Sequence, residues 1–293
     1  MAIELRTPDV GELDEAVDAL RAWQHDAAPM QLHPGDLGWY RRKGAERAAA
    51  SVRTWLRDGR VLAVGLLDGP TLLRLTLEPG AHQDPELARQ LLDDVSDPGR
   101  GVLPEGAVDI EAPSGVLLDD LLDGAGWVTG EAWTPLTRDL TEPVRPPAVR
   151  IEVAGEDRAE AYAAVHRAAF EGSTFAAEQW HAMAAGSPHA QPRCLLAYDD
   201  EGAAVAAVTV WSAGPGRPGL LEPMGVHRDH RGRGHGAAIC VAAAAALREL
   251  GASSARVGTP SANTAAVATY RAAGFRPMPE VTDRCRKPGD TSP

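Results

Sequence analysis

The sequence predicts an α/β (α+β) protein of two tandem domains, each a mixed, mostly antiparallel twisted sheet flanked by helices. The same order of strand-like and helix-like segments runs through the chain twice. A proline-rich segment separates the two runs, and 293 residues suit two ordinary domains. We therefore divide the chain into a first half over residues 1–140, a linker over 141–148 and a second half over 149–293. The linker holds three prolines, which disfavour helix and keep the chain extended.

The elements of the first half follow from apolar runs and their periodicity. Strands are expected near 3–6, 51–57, 60–67, 71–77, 107–111 and 127–138. Helices are expected at 11–25, 43–48, 84–95 and 115–124.

The second half repeats this order. Strands are expected at 149–153, 193–199, 203–211, 218–226 and 254–259, followed by two closing strands. Helices are expected at 156–170, 175–185, 236–250 and 263–273. The pair Gly126-Trp127 stands after the last helix of the first half as Gly274-Phe275 stands after that of the second.

Charge and composition exclude several function classes. The net charge is -12, and the first 150 residues hold 26 acidic against 15 basic side chains. This acidity argues against general nucleic-acid binding. No apolar run is long enough for a membrane helix, and the start lacks the pattern of a signal peptide. We expect a cytoplasmic protein without membrane or nucleic-acid partners, and the sequence leaves a homodimer open.

A glycine-rich loop over residues 231–236 is the strongest local signal. It follows an apolar strand and opens an alanine-rich helix over 237–250. Glycines let backbone amides approach a ligand closely, and the helix N-terminus adds positive potential. The arginines Arg228, Arg231 and Arg233 add positive charge. The loop therefore predicts a pyrophosphate site.

Three other kinds of glycine-rich loop compete with this interpretation. A P-loop needs a lysine after its last glycine, and no lysine lies between Lys43 and Lys287. The dinucleotide-binding spacing Gly-x-Gly-x-x-Gly does not fit Gly232, Gly234 and Gly236. An ordinary glycine-rich turn that caps a helix stays open on the loop alone.

A second motif lies in residues 263–275. Asn263 is a good N-cap, and Gly274 is a good residue to end the helix. Asn263 and Tyr270 are seven positions apart, so both lie on one face of the helix.

Together the two motifs resemble the GNAT acyltransferase superfamily. Residues 231–236 match its coenzyme A loop, Arg/Gln-x-x-Gly-x-Gly/Ala, and residues 263–275 match its Asn-x-x-Ala-x-x-x-Tyr-x-x-x-Gly-Phe pattern. The resemblance covers residues 149–286. It implies a cleft where the fourth strand splays from the fifth, acetyl-CoA as co-substrate, and acetyl transfer to a primary amine of a small molecule.

The resemblance also implies the cofactor contacts. The Met224 amide would lie at the acyl carbonyl, Val226 would pair with pantetheine, and Asn263 would bond the pantetheine or order the helix start. The diphosphate would be held by the amides of Arg231, Gly232, Arg233, Gly234, His235, Gly236 and Ala237.

Two residues are candidates for catalysis. Tyr270 is expected to donate a proton to the coenzyme A sulfur, because a phenol is protonated at neutral pH. The alternative is a tyrosine that only packs on the cofactor. Glu222 is expected to take the amine proton; in a regular strand it shares a face with Met224. The alternatives are a carboxylate that binds a substrate ammonium, or a structural salt bridge.

Other candidates are weaker. His227, His230 and His235 lack partner ligands at metal-binding spacing, so no metal is expected. Trp180, His181 and Trp211 are candidate walls of the acceptor pocket, with core packing as the more ordinary role of each.

The first half lacks the chemistry of the second. Asp84 and Glu86 stand where a phosphate would bind, Gly115 takes the place of Asn263, and Leu122 takes that of Tyr270. We therefore expect a degenerate first domain and a catalytic second one, an arrangement similar in architecture alone to mycothiol synthase. The alternatives for the whole chain are a non-catalytic coenzyme A-binding regulatory module, or an acyltransferase that acts on a protein amine.

Overall fold

Strands from both halves form one continuous sheet in the computed structural model, which describes residues 2–186 and 192–287. The first-half strands are β1 (Glu4–Arg6), β2 (Val52–Arg57), β3 (Arg60–Leu67), β4 (Leu72–Leu77), β5 (Val108–Glu111) and β6 (Val128–Asp139). The first-half helices are α1 (Leu13–Trp23), α2 (Pro34–Tyr40), α3 (Ala45–Ala50), α4 (Pro85–Ser96) and α5 (Leu117–Gly124).

The second half repeats this series of elements. Its strands are β7 (Arg150–Val153), β8 (Pro192–Tyr198), β9 (Ala204–Ser212), β10 (Gly219–Val226), β11 (Ser254–Pro260), β12 (Arg276–Pro277) and β13 (Val281–Arg286). Its helices are α6 (Ala159–Ala169), α7 (Ala177–Ala184), α8 (His235–Glu249) and α9 (Thr264–Ala272). The predicted mixed, mostly antiparallel sheet with flanking helices is confirmed.

The order of strands interleaves the two halves. It runs β1-β2-β3-β4-β5-β13-β6-β11-β10-β9-β8-β7, with β12 paired to β6. Thus β13, from the end of the chain, lies between β5 and β6, and β6 lies against β11. The division of the chain into two domains at residues 141–148 remains a prediction. The sheet does not mark this boundary, because strands of both halves belong to it.

Strand β6 connects the halves through its two ends. Its first part pairs with β13, from Val128 opposite Cys285 to Trp133 opposite Val281. Its last part pairs with β11, from Trp133 opposite Pro260 onward. Backbone hydrogen bonds on both sides of one strand thus hold the halves in a fixed register.

Helix α2 was not predicted. It begins at Pro34, and the side chains of His33 and Asp36 form a reciprocal capping box. Two glycines in seven residues lower the helix propensity of this segment, so the sequence pattern did not indicate a helix here. Gly35 is needed there because a Cβ atom would lie 2.4 Å from the Trp211 side chain. Tertiary packing against the second half therefore supports this short helix.

Helix α8 packs closely on the sheet of the second half. Its buried positions include Ile239, Cys240, Ala243 and Leu247, which lie on one helical face. The many alanines let the helix approach β9, whose residues from Val205 to Trp211 are buried. Within residues 2–186 and 192–287, every helix is too short or too polar to cross a lipid bilayer.

Candidate functional site

A cleft opens where β10 leaves β11. Among the described residues, the two strands pair in parallel at Gly219 and Leu220 alone. On the other side of β10, its pairing with β9 shifts register between Leu221 and Met224. A cavity of about 380 Å³ lies beyond this point. The second half lines it with residues of β10, β11 and α9, among them Glu222, Met224, Gly258, Asn263, Ala266 and Tyr270.

The first half forms the opposite wall of the same cavity. Its lining residues come from β4, β5, β6 and the loops beside them, namely Met30, Asp68, Leu72, Arg74, Glu111, Trp133 and Pro135. No local motif indicates this wall, because it depends on the strand pairing of the shared sheet.

Glu222 is half-buried at the junction of the two walls. Burial raises the pKa of its carboxyl group to about 8, and the charge of Asp36 adds to this effect. The positive charge of Arg74 acts in the opposite direction on the same pKa. Both Glu222 and Met224 line the cavity, although the strand between them is irregular rather than regular as the expectation assumed.

A buried ion-pair network surrounds Arg74. Its Nη1 lies 2.8 Å from Oδ1 of Asp36, and its Nε lies 2.9 Å from Oε2 of Glu111. Asp36 is 1 % exposed and also accepts the backbone N–H of His33. Nearby carboxylates raise the pKa of Arg74 well above its usual value, despite its burial. The guanidinium therefore remains charged and fixed in the wall.

Tyr270 lies on α9 and is only 5 % exposed. Burial raises the pKa of its phenol well above the usual range, and the charge of Glu222 adds to the effect. Within the described part of the chain its hydroxyl has no hydrogen-bond partner. Its ring packs edge-on against Phe275 at a centroid distance of 6.0 Å.

Asn263 caps α9 as the sequence predicts. Its Oδ1 accepts the backbone N–H of Ala266 at 3.1 Å, and the residue also lines the cavity. At the other end, Gly274 adopts a φ of +83°, which suits a glycine that ends a helix. One face of α9 thus brings Asn263 and Tyr270 to the cavity together.

The outer part of β10 has a free backbone edge. Met224 and Val226 pair with Val208 and Ala206 of β9 on one side. Toward β11, the described pairing ends at Leu220. The amide and carbonyl groups on this edge can therefore bond an extended ligand.

The glycine-rich loop has the backbone that its sequence requires. Gly232 and Gly234 have φ values of +76° and +85°, and α8 begins directly after them. The first amides of a helix have no partner inside it, and no described side chain caps those of α8. A Cβ atom on Gly236 would lie 2.8 Å from Cγ2 of Thr269, so this glycine lets α8 approach α9. His235 and Ala237 complete this first turn and are partly buried.

The arginines of the loop divide into two kinds. Arg231 donates to the Ala169 carbonyl at 2.7 Å, and Arg228 donates to the Ala168 carbonyl at 3.0 Å. Both therefore bind the C-terminal end of α6. Arg233 is exposed and makes no hydrogen bond or ion pair with any residue that the structure describes. Its guanidinium is the one of the three that is available to an anion at the loop.

The histidines and tryptophans have separate surroundings. His230 lies 3.6 Å from Asp199, and residues 2–186 and 192–287 contain no group of three or more side chains suited to a metal ion. Trp180 and Trp211 pack in a core cluster and do not line the cavity. The Trp211 indole N–H donates to the backbone carbonyl of Glu222 at 2.7 Å and so helps to hold the strand that carries Glu222.

The corresponding loop of the first half is filled by the chain itself. Asp84 caps α4 and accepts the amides of Glu86 and Leu87. Arg57 of β2 bonds Asp84 at 2.6 Å, and this contact holds the pKa of the Asp84 carboxyl at about 2. The sequence pattern of this loop holds no arginine; the fold supplies one from a neighbouring strand. Leu122 is fully buried in the first-half core.

Comparisons with known proteins agree with this geometry. The sequence model described as "Acetyltransferase (GNAT) family" matches residues 157–275, which contain both motifs. No curated protein sequence matches the chain.

Solved structures share the fold over nearly the whole chain. A tandem GNAT protein from the clavulanic acid biosynthesis pathway is 20 % identical, with a TM-score of 0.63 over 98 % of this chain and 99 % of its own. A GCN5-related N-acetyltransferase from Sphaerobacter thermophilus is 18 % identical, with a TM-score of 0.58 over 97 % and 95 %. The N-myristoyltransferase of Saccharomyces cerevisiae, with bound myristoyl-CoA, is 10 % identical, with a TM-score of 0.59 over 99 % and 82 %. Residues 157–275 thus match the GNAT acetyltransferase family, which uses coenzyme A thioesters as acyl donors, and the whole chain has the fold of a tandem GNAT protein.

Proposed function

We propose that the second half transfers an acetyl group from acetyl-CoA to a primary amine of a small molecule. The observation that supports this most is one cavity lined by both Glu222, whose pKa is raised to about 8, and Tyr270, a buried phenol. Amine acylation by a thioester needs a base for the amine and a proton donor for the departing sulfur. The cavity lies between walls of both halves, which suits a small acceptor better than a folded protein.

The loop and α8 would hold the diphosphate of the nucleotide. Gly232 and Gly234 leave open space where a Cβ atom would stand, so phosphate oxygens can approach the amides. The side chain of Arg233, which has no partner among the described residues, adds a positive charge at this place. The free edge of β10 at Met224 and Val226 would bond the pantetheine arm, with Asn263 beside it.

Glu222 would prepare the acceptor. An ammonium group cannot attack a carbonyl carbon, so one proton must leave before the new bond forms. A carboxylate with a pKa of about 8 is a stronger base than an ordinary glutamate, and it can take this proton directly or through a water molecule.

Tyr270 would protonate the leaving group. Acetyl-CoA supplies an activated carbonyl carbon: the nitrogen–carbon bond forms and the carbon–sulfur bond breaks. The Tyr270 hydroxyl gives its proton to the sulfur, and the proton lost from the nitrogen restores the phenol. The Met224 amide would donate to the carbonyl oxygen, where negative charge develops.

Two assays on the same preparation test this proposal. Thiol release from acetyl-CoA is followed with a panel of small primary amines, and coenzyme A binding is measured by titration calorimetry. Amine-dependent thiol release supports the proposal. Binding without release for any amine would instead identify a coenzyme A-binding module, and release only with a protein acceptor would identify a protein acetyltransferase.

A further inference from the structure

We propose that the acceptor carries a second positively charged group, which Asp68 and Glu111 of the first half bind. This rests on the proposed function, because it concerns the acceptor end of the same cavity. The substrate class is an alkyl diamine, or an amine with a comparable second cation.

The charges in the cavity wall are unbalanced. The carboxylates Asp36, Asp68 and Glu111 surround one fixed guanidinium, that of Arg74. The second cation nearby, Arg42, donates to the Trp39 carbonyl and lies 4.2 Å over the Trp39 ring. Three carboxylates thus outnumber two guanidinium groups even before Glu222 is ionised. A further cation in the cavity would restore the balance.

Asp68 is the carboxylate that can still accept a hydrogen bond from a ligand. Its Oδ2 lies 3.9 Å from Nη1 of Arg74, which is too far for a hydrogen bond. Its side chain is 38 % exposed and makes no shorter polar contact with the described residues. The backbone N–H of Asp68 bonds the Leu72 carbonyl at 2.9 Å, so the residue is held at the end of β3. A fixed carboxylate without a donor can accept one from a substrate ammonium.

Tyr270 gives an independent reason to expect a ligand in this cavity. A buried tyrosine hydroxyl normally finds a hydrogen-bond partner. That of Tyr270 has none among the described residues, although the side chain is 95 % buried in the cavity wall. A ligand in the cavity can supply this partner.

Part of the cavity lining is apolar. Met30, Leu72 and Val281 line the cavity alongside the charged wall. Methylene groups can pack on such side chains, whereas a polar linker would lose its hydration there. A chain of methylenes with an amine at each end therefore fits both the charge and the lining.

Titration calorimetry tests the inference without requiring turnover. The protein saturated with coenzyme A is titrated with putrescine and with butylamine, which differ in one terminal amine. We expect putrescine to bind at least about 10-fold more tightly, the gain of one charge-assisted hydrogen bond. Asp68→Asn should remove most of this difference. Asp93→Asn, which removes an exposed charge of α4, should preserve it.

Equal affinity for the two amines, or no measurable putrescine binding, would overturn the inference. So would an Asp68→Asn variant that keeps the wild-type preference while its unfolding temperature matches that of the wild type. These results are separate from thiol release: a chain that binds putrescine but releases no thiol would contradict the proposed function alone.

Discussion

Arg74 and Glu222 line one cavity from the fourth strand of each half, β4 and β10. The positive charge of Arg74 lowers the pKa of Glu222, while burial and neighbouring carboxylates of the first half raise it. The first half therefore shapes the chemistry of a site whose sequence motifs all belong to the second half. A separated second half would lack this wall.

The pH dependence of turnover should report the ionisation of Glu222. Its pKa is raised to about 8, and the base acts only when ionised, so kcat should fall as pH decreases through about 8. Glu222→Gln should lower kcat by about 100-fold or more and remove this limb of the profile. Steady-state thiol release across a pH series measures both. A variant with the wild-type profile would show that another group is the base.

Glu111 should affect the pH at which turnover falls. Its charge raises the pKa of Glu222, so Glu111→Gln should move the acidic limb to lower pH. Glu105→Gln removes an exposed charge just before β5 and serves as the matched control. A limb that moves equally in the two variants would argue for a general charge effect instead of a local one.

Tyr270→Phe separates chemistry from binding. The variant keeps the ring that packs on Phe275 and loses only the proton donor. We expect kcat to fall by about 10- to 100-fold, with little change in the dissociation constant of coenzyme A. Tyr198→Phe, on β8, is the control for removal of a hydroxyl elsewhere. Wild-type turnover in Tyr270→Phe would exclude the acid role.

Gly236→Ala should destabilise the second half. The new Cβ atom would lie 2.8 Å from Cγ2 of Thr269, and overpacking of this kind costs about 1–3 kcal/mol in the free energy of unfolding. Gly80→Ala is the matched control, since a Cβ atom there meets nothing within 4 Å. Urea denaturation of both variants measures the difference. Equal stabilities would mean that α8 and α9 can separate freely.

Asp84 should contribute to stability but not to cofactor binding. Its pKa is lowered to about 2, so its contribution is complete above the usual pKa of an aspartate and is lost as pH falls toward 2. Asp84→Ala should cost about 1–2 kcal/mol at neutral pH, as expected for a lost N-cap. Asp93→Ala on the same helix should cost less. Weaker coenzyme A binding in Asp84→Ala, with Asp93→Ala unaffected, would indicate that the first half takes part in cofactor binding.

The local signals in the sequence predicted the elements well. Asn263 and Gly274 mark the ends of α9 because caps depend on a few neighbouring residues. Helix α2 was missed because the glycine at position 35 is required by its close packing against Trp211, a residue far along the chain. The wall formed by Asp68, Arg74 and Glu111 was missed for a similar reason. Its place in the site follows from strand pairing between the halves, which no periodicity in one segment encodes.

Calorimetric titration of acetyl-CoA measures nucleotide binding at the second-half loop, on which every later step of the proposed reaction depends. We expect one site per chain, weakened at least about 10-fold by Arg233→Glu, which reverses the available charge beside α8. Arg89→Glu, near the start of α4 in the first half, should leave the affinity unchanged. Undetectable binding to the wild type, or weakening by Arg89→Glu instead of Arg233→Glu, would contradict nucleotide binding at this loop.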